Sequence, residues 1–119
     1  MATQPVEIDY NHKFMDASHV LTWENLANGD SGETVEMPGS ADRSIQFTGT
    51  FGTGGSIRIE GSNDGTNFVV LTDPQGNDII KTAAGLEAIT EITRYIRPRV
   101  TAGDGTTNLT AVLFMKTTG

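Results

Sequence analysis

The sequence predicts an all-β fold, an antiparallel β-sandwich of jelly-roll type that forms a single domain. Two observations support this prediction. Apolar and polar residues alternate in several short runs, such as "RSIQFTGTF" and "SIRIE", and this period of two is typical of strands with one buried face. Turn residues, including 14 glycines, separate those runs at the short spacing expected of a sandwich.

Length, charge and composition limit the classes of protein to consider. A chain of 119 residues is long enough for one domain with a proper core. Its net charge of −7 disfavours binding to nucleic acid, because basic surfaces make the phosphate contacts. No apolar run approaches the ~20 residues of a membrane helix, and the first residues lack the apolar stretch of a secretory signal. We therefore expect no membrane partner. Cysteine is absent, which excludes disulfides and thiol catalysis.

The N-terminal segment differs from the rest of the chain. Val6, Ile8 and Tyr10 alternate with acidic residues, which predicts an arm or edge strand within 1–18, followed by a sandwich domain over 19–119. The segment has no obvious hairpin partner. We therefore expect it to pair with the sheet edge of a neighbouring molecule, and a loosely ordered terminus is the alternative.

The middle of the chain contains the clearest strands. The runs "HVLTWENL" and "TVEM" come first, with turn residues between and after them. "RSIQFTGTF" and "SIRIE" follow and are joined by "GTGG". "FVVLT" and "IIKT" come next, and they are joined by "DPQGND", in which proline and glycine favour a turn.

Two later stretches are predicted on weaker patterns. In "AAGLEAITEITRYI", Leu86, Ile89 and Ile92 would share one face of a helix, but the β-branched residues favour a turn around Gly85 and then a strand. The last run, "TNLTAVLFMKTT", is apolar on both faces, which predicts a central strand or a strand covered by another element or subunit. The predicted core consists of Ile45, Phe47, Ile57, Ile59, Val70, Ile96, Val100, Leu109, Ala111 and Leu113.

The sequence contains no motif typical of a catalytic centre. It lacks the Gly-x-Ser-x-Gly elbow, the P-loop and the His-Glu-x-x-His motif, so we expect that the protein is not an enzyme. A pair of carboxylates acting as in a glycosidase is the alternative. His12 and His19 are seven residues apart, which places them on opposite faces of a strand and disfavours a shared metal. We expect no cofactor and no metal.

Two Asp-Gly pairs, Asp64-Gly65 and Asp104-Gly105, lie in polar loops. Each loop has oxygen atoms that could bind calcium, but neither has the spacing of an EF-hand or its final glutamate. Asp-Gly is a favoured hairpin dipeptide because both central residues can require a positive φ. Both pairs are therefore predicted to be hairpin turns.

The run "RYIRPRV" concentrates positive charge in an acidic chain. In an extended conformation, Tyr95, Arg97 and Arg99 share one face, and the apolar residues between them share the other. Pro98 cannot donate a hydrogen bond to a neighbouring strand, which suggests a sheet edge. A solvated outer face is one interpretation, and a contact surface is the other, because tyrosine and arginine are enriched at interface hot spots.

The block "RSIQFTGTFGTGGSIRIEGSNDGTNFVVLTD", with "YIRPRVTAGDGTTNLTAVLFM" after it, resembles small virion proteins of tailed bacteriophages. The resemblance spans about residues 20 to 116 and is to head decoration, or cement, proteins. It implies a β-sandwich in many copies on the outer capsid surface, bound to the major capsid protein and made in the bacterial cytoplasm. A homo-oligomer, a dimer or trimer, is expected. The expected partner-binding residues are Tyr95, Arg97, Arg99, Val6, Ile8 and Tyr10.

A second resemblance is to discoidin-like carbohydrate-binding jelly rolls. It is carried by Ser62, Asp64 and Gly65 with Phe68, and by the run 94–97. It implies the alternative function, a carbohydrate-binding module of a phage fibre or spike, with ligand residues Trp23, Asp64 and Arg94. The elements shared with this family imply that Phe68 returns to the core and anchors the next strand.

Overall fold

The computed structural model describes residues 2–11, 18–36 and 42–116, with only the backbone described at 9–11. These residues contain twelve strands, and none of them forms a helix long and apolar enough to cross a membrane. The strands are β1 (Thr3–Gln4), β2 (Val6–Asn11), β3 (Ser18–Leu26), β4 (Ser31–Gly32), β5 (Val35–Glu36), β6 (Asp42–Thr50), β7 (Ser56–Ser62), β8 (Val69–Val70), β9 (Ile80–Lys81), β10 (Gly85–Ala88), β11 (Tyr95–Ala102) and β12 (Asn108–Lys116).

The strands form two sheets that pack face to face. One sheet has the order β1-β4-β11-β7-β8, with β5 also paired to β11 and β9 to β7. The other sheet has the order β10-β6-β12-β3-β2. Strands β1 and β4 are parallel, and the other pairs between these strands are antiparallel. The predicted antiparallel β-sandwich is confirmed.

The core lies between the sheets and is filled by alternate residues of the long strands. Nine of the ten predicted core residues are buried, and the exception is Val70. Val70 pairs in register with Glu60 and therefore shares the outer face of its sheet, where it is half-buried. The core also contains residues outside the predicted set: Leu21, Trp23, Leu26, Val35, Leu71, Ile79, Ile89 and Met115.

Strand β12 is central in the five-stranded sheet, between β6 and β3. Its inward residues, including Leu113 and Met115, are fully buried, whereas Val112 is half-buried and Phe114 is 43% exposed on the opposite face. The prediction of a central strand that is apolar on both faces is confirmed.

Strand β11 lies inside its sheet, so the prediction that Pro98 marks a sheet edge is wrong. The strand pairs with β7 on one side and with β4 and β5 on the other. The Val100 N–H donates to the Asp30 carbonyl on the β4 side, and alternate residues of a strand direct their N–H groups to the same side. The Pro98 nitrogen therefore faces the gap between β4 and β5, where no strand requires a donor.

Strand β2 pairs along its whole length with β3 of the same chain, so the expectation that the N-terminal segment has no hairpin partner is wrong. It forms the edge of the five-stranded sheet. The preceding strand, β1, is held by Asp30, whose carboxylate accepts hydrogen bonds from the Ala2 and Ala27 N–H groups and from the Gln4 side chain, each at 3.0 Å. Burial alone would raise the pKa of Asp30, but these hydrogen bonds lower it overall.

The chain crosses between the sheets after β10, which explains the ambiguous pattern of that region. The chain bends at residues 82–84, as the predicted turn around Gly85 requires, and a strand, β10, follows from Gly85, but this strand ends at Ala88 and does not continue into β11. Ile89 is buried, and its N–H donates to the Arg43 carbonyl at 3.0 Å. The apolar residues of this segment therefore alternate in neither a helical nor a strand pattern.

Asp104 holds together two loops that also pass from one sheet to the other. Its carboxylate accepts hydrogen bonds from the Thr53 N–H, at 2.8 Å, and from the Thr106 N–H and hydroxyl. Gly52 has a φ of +73°, and a Cβ there would lie 2.3 Å from Asp104 Oδ1. The loop joins β11 of one sheet to β12 of the other, and neither Asp104 nor Gly105 has a positive φ. The hairpin prediction for Asp104-Gly105 is wrong.

Replacing Leu113 with alanine should lower the free energy of unfolding by about 2–5 kcal/mol, because it leaves a cavity in a close-packed core. The matched variant Phe114→Ala should lose less than about 1.5 kcal/mol, since that ring is partly solvated. Urea denaturation followed by the fluorescence of Trp23, the single tryptophan, measures both. Equal losses would contradict the assignment of the two faces of β12.

Asp104→Asn should lower stability at neutral pH. The hydrogen bonds from the Thr106 hydroxyl and from the Thr53 and Thr106 N–H groups lower the pKa of Asp104 below its usual range. A lowered pKa contributes stability that is present above the unfolded pKa of about 3.9 and is lost as the pH falls toward the folded value. The difference in stability between wild type and variant should therefore shrink below about pH 4.

Thermal denaturation from pH 7 to pH 2 measures this dependence. Asp78→Asn is the matched control, because it makes the same change of charge at an exposed loop residue. A difference in stability between wild type and Asp104→Asn that stays constant down to pH 2 would show that the hydrogen bonds from Thr53 and Thr106 do not stabilise the carboxylate.

Candidate functional site

The outer face of the seven-stranded sheet carries a cluster of charged and aromatic side chains. The register pairs Arg97 with Glu60 and Arg99 with Arg58, and these pairs alternate with core residues, so all four side chains point outward. Tyr95 lies beside them on β11. We call this surface the arginine face and define it by Arg58, Glu60, Phe68, Tyr95, Arg97 and Arg99.

Glu60 organises the arginine face. Its side chain is only 1% exposed, and Oε2 accepts hydrogen bonds from Arg58 Nε at 2.7 Å and Nη2 at 2.6 Å. Arg97 Nε donates to Oε1 at 3.0 Å. Because a buried carboxylate requires partners, Glu60 fixes the positions of both arginines.

Phe68 supports this arrangement from the loop that precedes β8. The guanidinium of Arg97 stacks on its ring, 3.9 Å from the centroid, and such cation–π contacts are favourable. Phe68 is half-buried on the outer face. The expectation that it returns to the core is therefore wrong, because the loop ends on the outer side of the sheet.

The loop 63–68 is shaped by its own hydrogen bonds. The Asp64 carboxylate accepts from the N–H groups of Thr66 and Asn67 and from the Asn67 and Ser62 side chains, each at 2.8 Å. The hydrogen bonds from Asn67, Thr66 and Ser62 lower the pKa of Asp64 below its usual range. The loop does join β7 to β8 as a hairpin, but only Gly65 of the Asp-Gly pair has a positive φ.

The sequence-predicted site residues do not form one surface. Tyr95, Arg97 and Arg99 share the arginine face, as their alternation predicts. Val6 and Ile8 lie on β2 in the other sheet and pair with Trp23 and Leu21, so they point to the core side. Tyr10 pairs with His19, and its side chain lies outside the described part of the structure. Their role in binding a partner stays a prediction.

The residues expected to bind a carbohydrate are also separated. Trp23 is fully buried, and its indole N–H donates to the Glu33 carbonyl at 3.0 Å, so it cannot stack on a sugar and that assignment is wrong. Arg94 forms an ion pair with Glu36, and its N–H donates to the Asn63 side chain next to Asp64. Asp64 and Arg94 are thus close to one another, but both side chains have partners within the chain.

The outer face of the five-stranded sheet is apolar at its centre. Val20, Val112 and Phe114 lie on adjacent strands, and Leu86 lies in the row of Val112 on the edge strand β10. We call these four residues the apolar face. Leu86 is 62% exposed, and a cavity of about 550 Å³ adjoins Phe114 and Ile92.

The side chains that the structure describes form no cluster suited to a metal ion. Within 2–11, 18–36 and 42–116, no group of three or more His, Cys, Asp or Glu side chains is placed to hold a metal. His12 lies outside the described residues.

Sequence reasoning did not assign Arg58 and Glu60 to a site. Their alternation in "SIRIE" gives the face, but their contact with Arg97 depends on the register between two distant strands.

Glu60→Gln should lower the free energy of unfolding by about 1.5–3 kcal/mol, because it weakens three charge-assisted hydrogen bonds of a buried carboxylate. Glu36→Gln is the matched control and should cost less than about 1 kcal/mol, since the Arg94–Glu36 pair is exposed. Chemical denaturation measures both. Equal effects would mean that Glu60 does not organise the arginine face.

Among solved structures, the chain is similar in fold to the SPBc2 prophage-derived protein YomS, with a TM-score of 0.60 and 9% identity over 83% of this chain and 94% of that one. Peruvianin-I, a cysteine peptidase from Thevetia peruviana latex, matches with a TM-score of 0.45 and 14% identity over 94% of this chain and 60% of that one, which is too low to support an argument. No family model and no curated protein matches the chain. The likeness to YomS shows a shared fold.

Proposed function

We propose that this protein is a structural component of a tailed-phage particle that binds the outside of the assembled capsid and stabilises it. In this proposal its partner is the major capsid protein, and its place is the outer capsid surface after synthesis in the bacterial cytoplasm. It acts by binding neighbouring capsid subunits, so that expansion or rupture of the shell must also break these contacts. It catalyses no reaction.

The arginine face is the observation that carries the proposal. Three arginines against one glutamate leave a charge of +2 on this face, in a chain whose net charge is −7. Arg58 and Arg97 are fixed before binding by Glu60, and Arg97 also by Phe68. Binding therefore costs little side-chain entropy. Such a surface favours an acidic protein partner and speeds its encounter with that partner.

Two further observations support a role in a phage particle. The fold is similar to that of a prophage-derived protein, and the sequence between about residues 20 and 116 resembles head decoration proteins.

The lowered pKa values of Asp64 and Asp104 have structural causes, because hydrogen bonds within the loops stabilise both carboxylates. These perturbations therefore give no support to a catalytic role.

The apolar face supports the proposal that copies of the chain associate. Phe114 adjoins the half-buried Val20 and Val112, and Gln46 separates Leu86 from Val112. An exposed aromatic ring beside other apolar side chains is typical of an interaction site. Asp42 and Lys116 are paired in register at one end of this face and have opposite charges. A two-fold axis that passes close to this end of the face would place Asp42 of each copy near Lys116 of the other, so we propose a second copy of this chain as the occupant.

Purified protein should co-sediment with heads of its own phage from which it has been removed, and the decorated heads should resist heating better than bare heads. The variant Arg99→Glu should bind at least about tenfold more weakly, because it reverses a charge of the contact and leaves the partners of Glu60 in place. Lys81→Glu, which reverses one charge away from the arginine face, is the control. Failure of the wild type to bind would refute the proposed function.

Phe114→Glu should shift the protein toward monomer, because it places a charge in the contact between copies. Sedimentation equilibrium measures the change, and Val69→Glu is the matched control, since Val69 is exposed but lies in the other sheet. A wild-type protein that stays monomeric at high concentration would contradict the association.

A further inference from the structure

Arg58 and Arg99 form a like-charge pair on the arginine face. They lie directly opposite each other on β7 and β11, with both side chains on the outer side of the sheet. Like charges at directly opposed positions of an antiparallel pair are destabilising. Within the chain, this pair therefore works against the stability of the sheet.

Glu60 does not relieve the charge of Arg99. One of its oxygens accepts from Arg58 and the other accepts from Arg97. Arg99 Nε is shielded from solvent and has no hydrogen-bond partner among the residues that the structure describes. A buried guanidinium N–H without a partner is costly to the fold, and this cost adds to the repulsion between Arg99 and Arg58.

The neighbouring strand supplies no anion to Arg99. Its register partner on β4 is Ser31, which is uncharged. The adjacent carboxylate, that of Asp30, accepts hydrogen bonds from Ala2, Gln4 and Ala27. The chain thus places the guanidinium groups of Arg58 and Arg99 side by side. Glu60, the carboxylate beside them, is already shared by Arg58 and Arg97.

We propose that Arg99 and Arg58 bind a carboxylate presented by an acidic segment of the protein partner. This inference rests on the proposed function, because it names the group through which the arginine face would contact the capsid protein. A carboxylate matches the planar fork of a guanidinium with two parallel hydrogen bonds. Bound there, it accepts hydrogen bonds from the terminal guanidinium nitrogens of Arg99 and separates the two positive charges.

Phosphate is the other oxyanion with matching geometry, and the charge of the molecule favours the carboxylate. A chain with a net charge of −7 repels a polyphosphate at long range. Carboxylates on a folded partner are interspersed with other groups and meet less repulsion.

Head binding by Arg99→Gln tests the inference directly. This variant removes the unpartnered group and its repulsion with Arg58, so its fold should be at least as stable as the wild type. It should bind heads at least about tenfold more weakly, and Arg99→Lys should give an intermediate loss, because lysine keeps the charge without the fork. Arg94→Gln is the control, since it removes the same charge just before β11, where Arg94 is already paired with Glu36, and it should bind within about twofold of wild type.

If wild type and Arg99→Gln bind equally well, the inference is overturned and the proposed function stands. If Arg94→Gln is weakened as much as Arg99→Gln, general attraction between charges explains binding and the inference is also overturned. If the wild type itself does not bind heads, the proposed function fails, and the anion site is judged by a separate titration.

That titration follows the arginine Nε–H signals of the wild type by NMR while a tetrapeptide of alternating aspartate and glutamate is added. Saturable shifts of the Arg99 and Arg58 signals, with no shift of the Arg94 signal, support a carboxylate site. In Arg99→Gln, the Arg58 signal should no longer shift. Shifts with inorganic phosphate but none with the peptide would assign the site to free phosphate and overturn the inference. If neither probe shifts the Arg99 signal, the inference is also overturned.

Discussion

The buried carboxylate of Glu60 is the constraint on which the arginine face depends. Glu60 is shielded from water on the outer side of a sheet, and it is satisfied only when Arg58 and Arg97 both reach it. That requires β7 and β11 to keep one register. A slip of β7 by one residue would turn Arg58 and Glu60 toward the core and the isoleucines of that strand outward. The hydrophobic core and the charged face thus specify the same strand pairing.

The same register explains how the arginine face is kept rigid. Residues 56–62 and 95–102 pair along most of their length, and Trp23 packs beneath them, close to Gly32 and Pro98. A Cβ at Gly32 would lie 2.6 Å from both the Pro98 ring and the indole. At the sheet crossings, Asp104 and Asp30 hold loops and the N-terminal strand by hydrogen bonds. The arginine face is therefore supported on its inner side and at its ends.

The sequence predicted those parts of the fold that depend on local alternation. Ile57 and Ile59 were placed in the core, and Tyr95, Arg97 and Arg99 on one outer face, because a period of two is visible within each strand. Contacts between distant strands leave no such signal. The pairing of Glu60 with Arg97, the outward position of Val70 and the central place of β11 all follow from the register of strands far apart in the chain.

Residues near loops and sheet crossings were predicted least well, for a related reason. The resemblance to discoidin-like jelly rolls implies that Phe68 returns to the core, yet Arg97 provides an alternative contact on the outer side. Trp23 was treated as a ligand residue because exposure cannot be deduced from one residue type. It is buried because β3 lies inside its sheet between β12 and β2. Asp-Gly suggested a hairpin at Asp104, where the loop joins two sheets instead.

The orientation of the protein on the particle tests the central claim most directly. A density map of decorated heads, at a resolution that separates strands, would show which sheet faces the shell. The account predicts that the seven-stranded sheet lies against the capsid, with Arg58, Arg97 and Arg99 at the contact and density for an acidic segment beside Arg99. A map in which the arginine face points to solvent, and the five-stranded sheet contacts the shell, would contradict it.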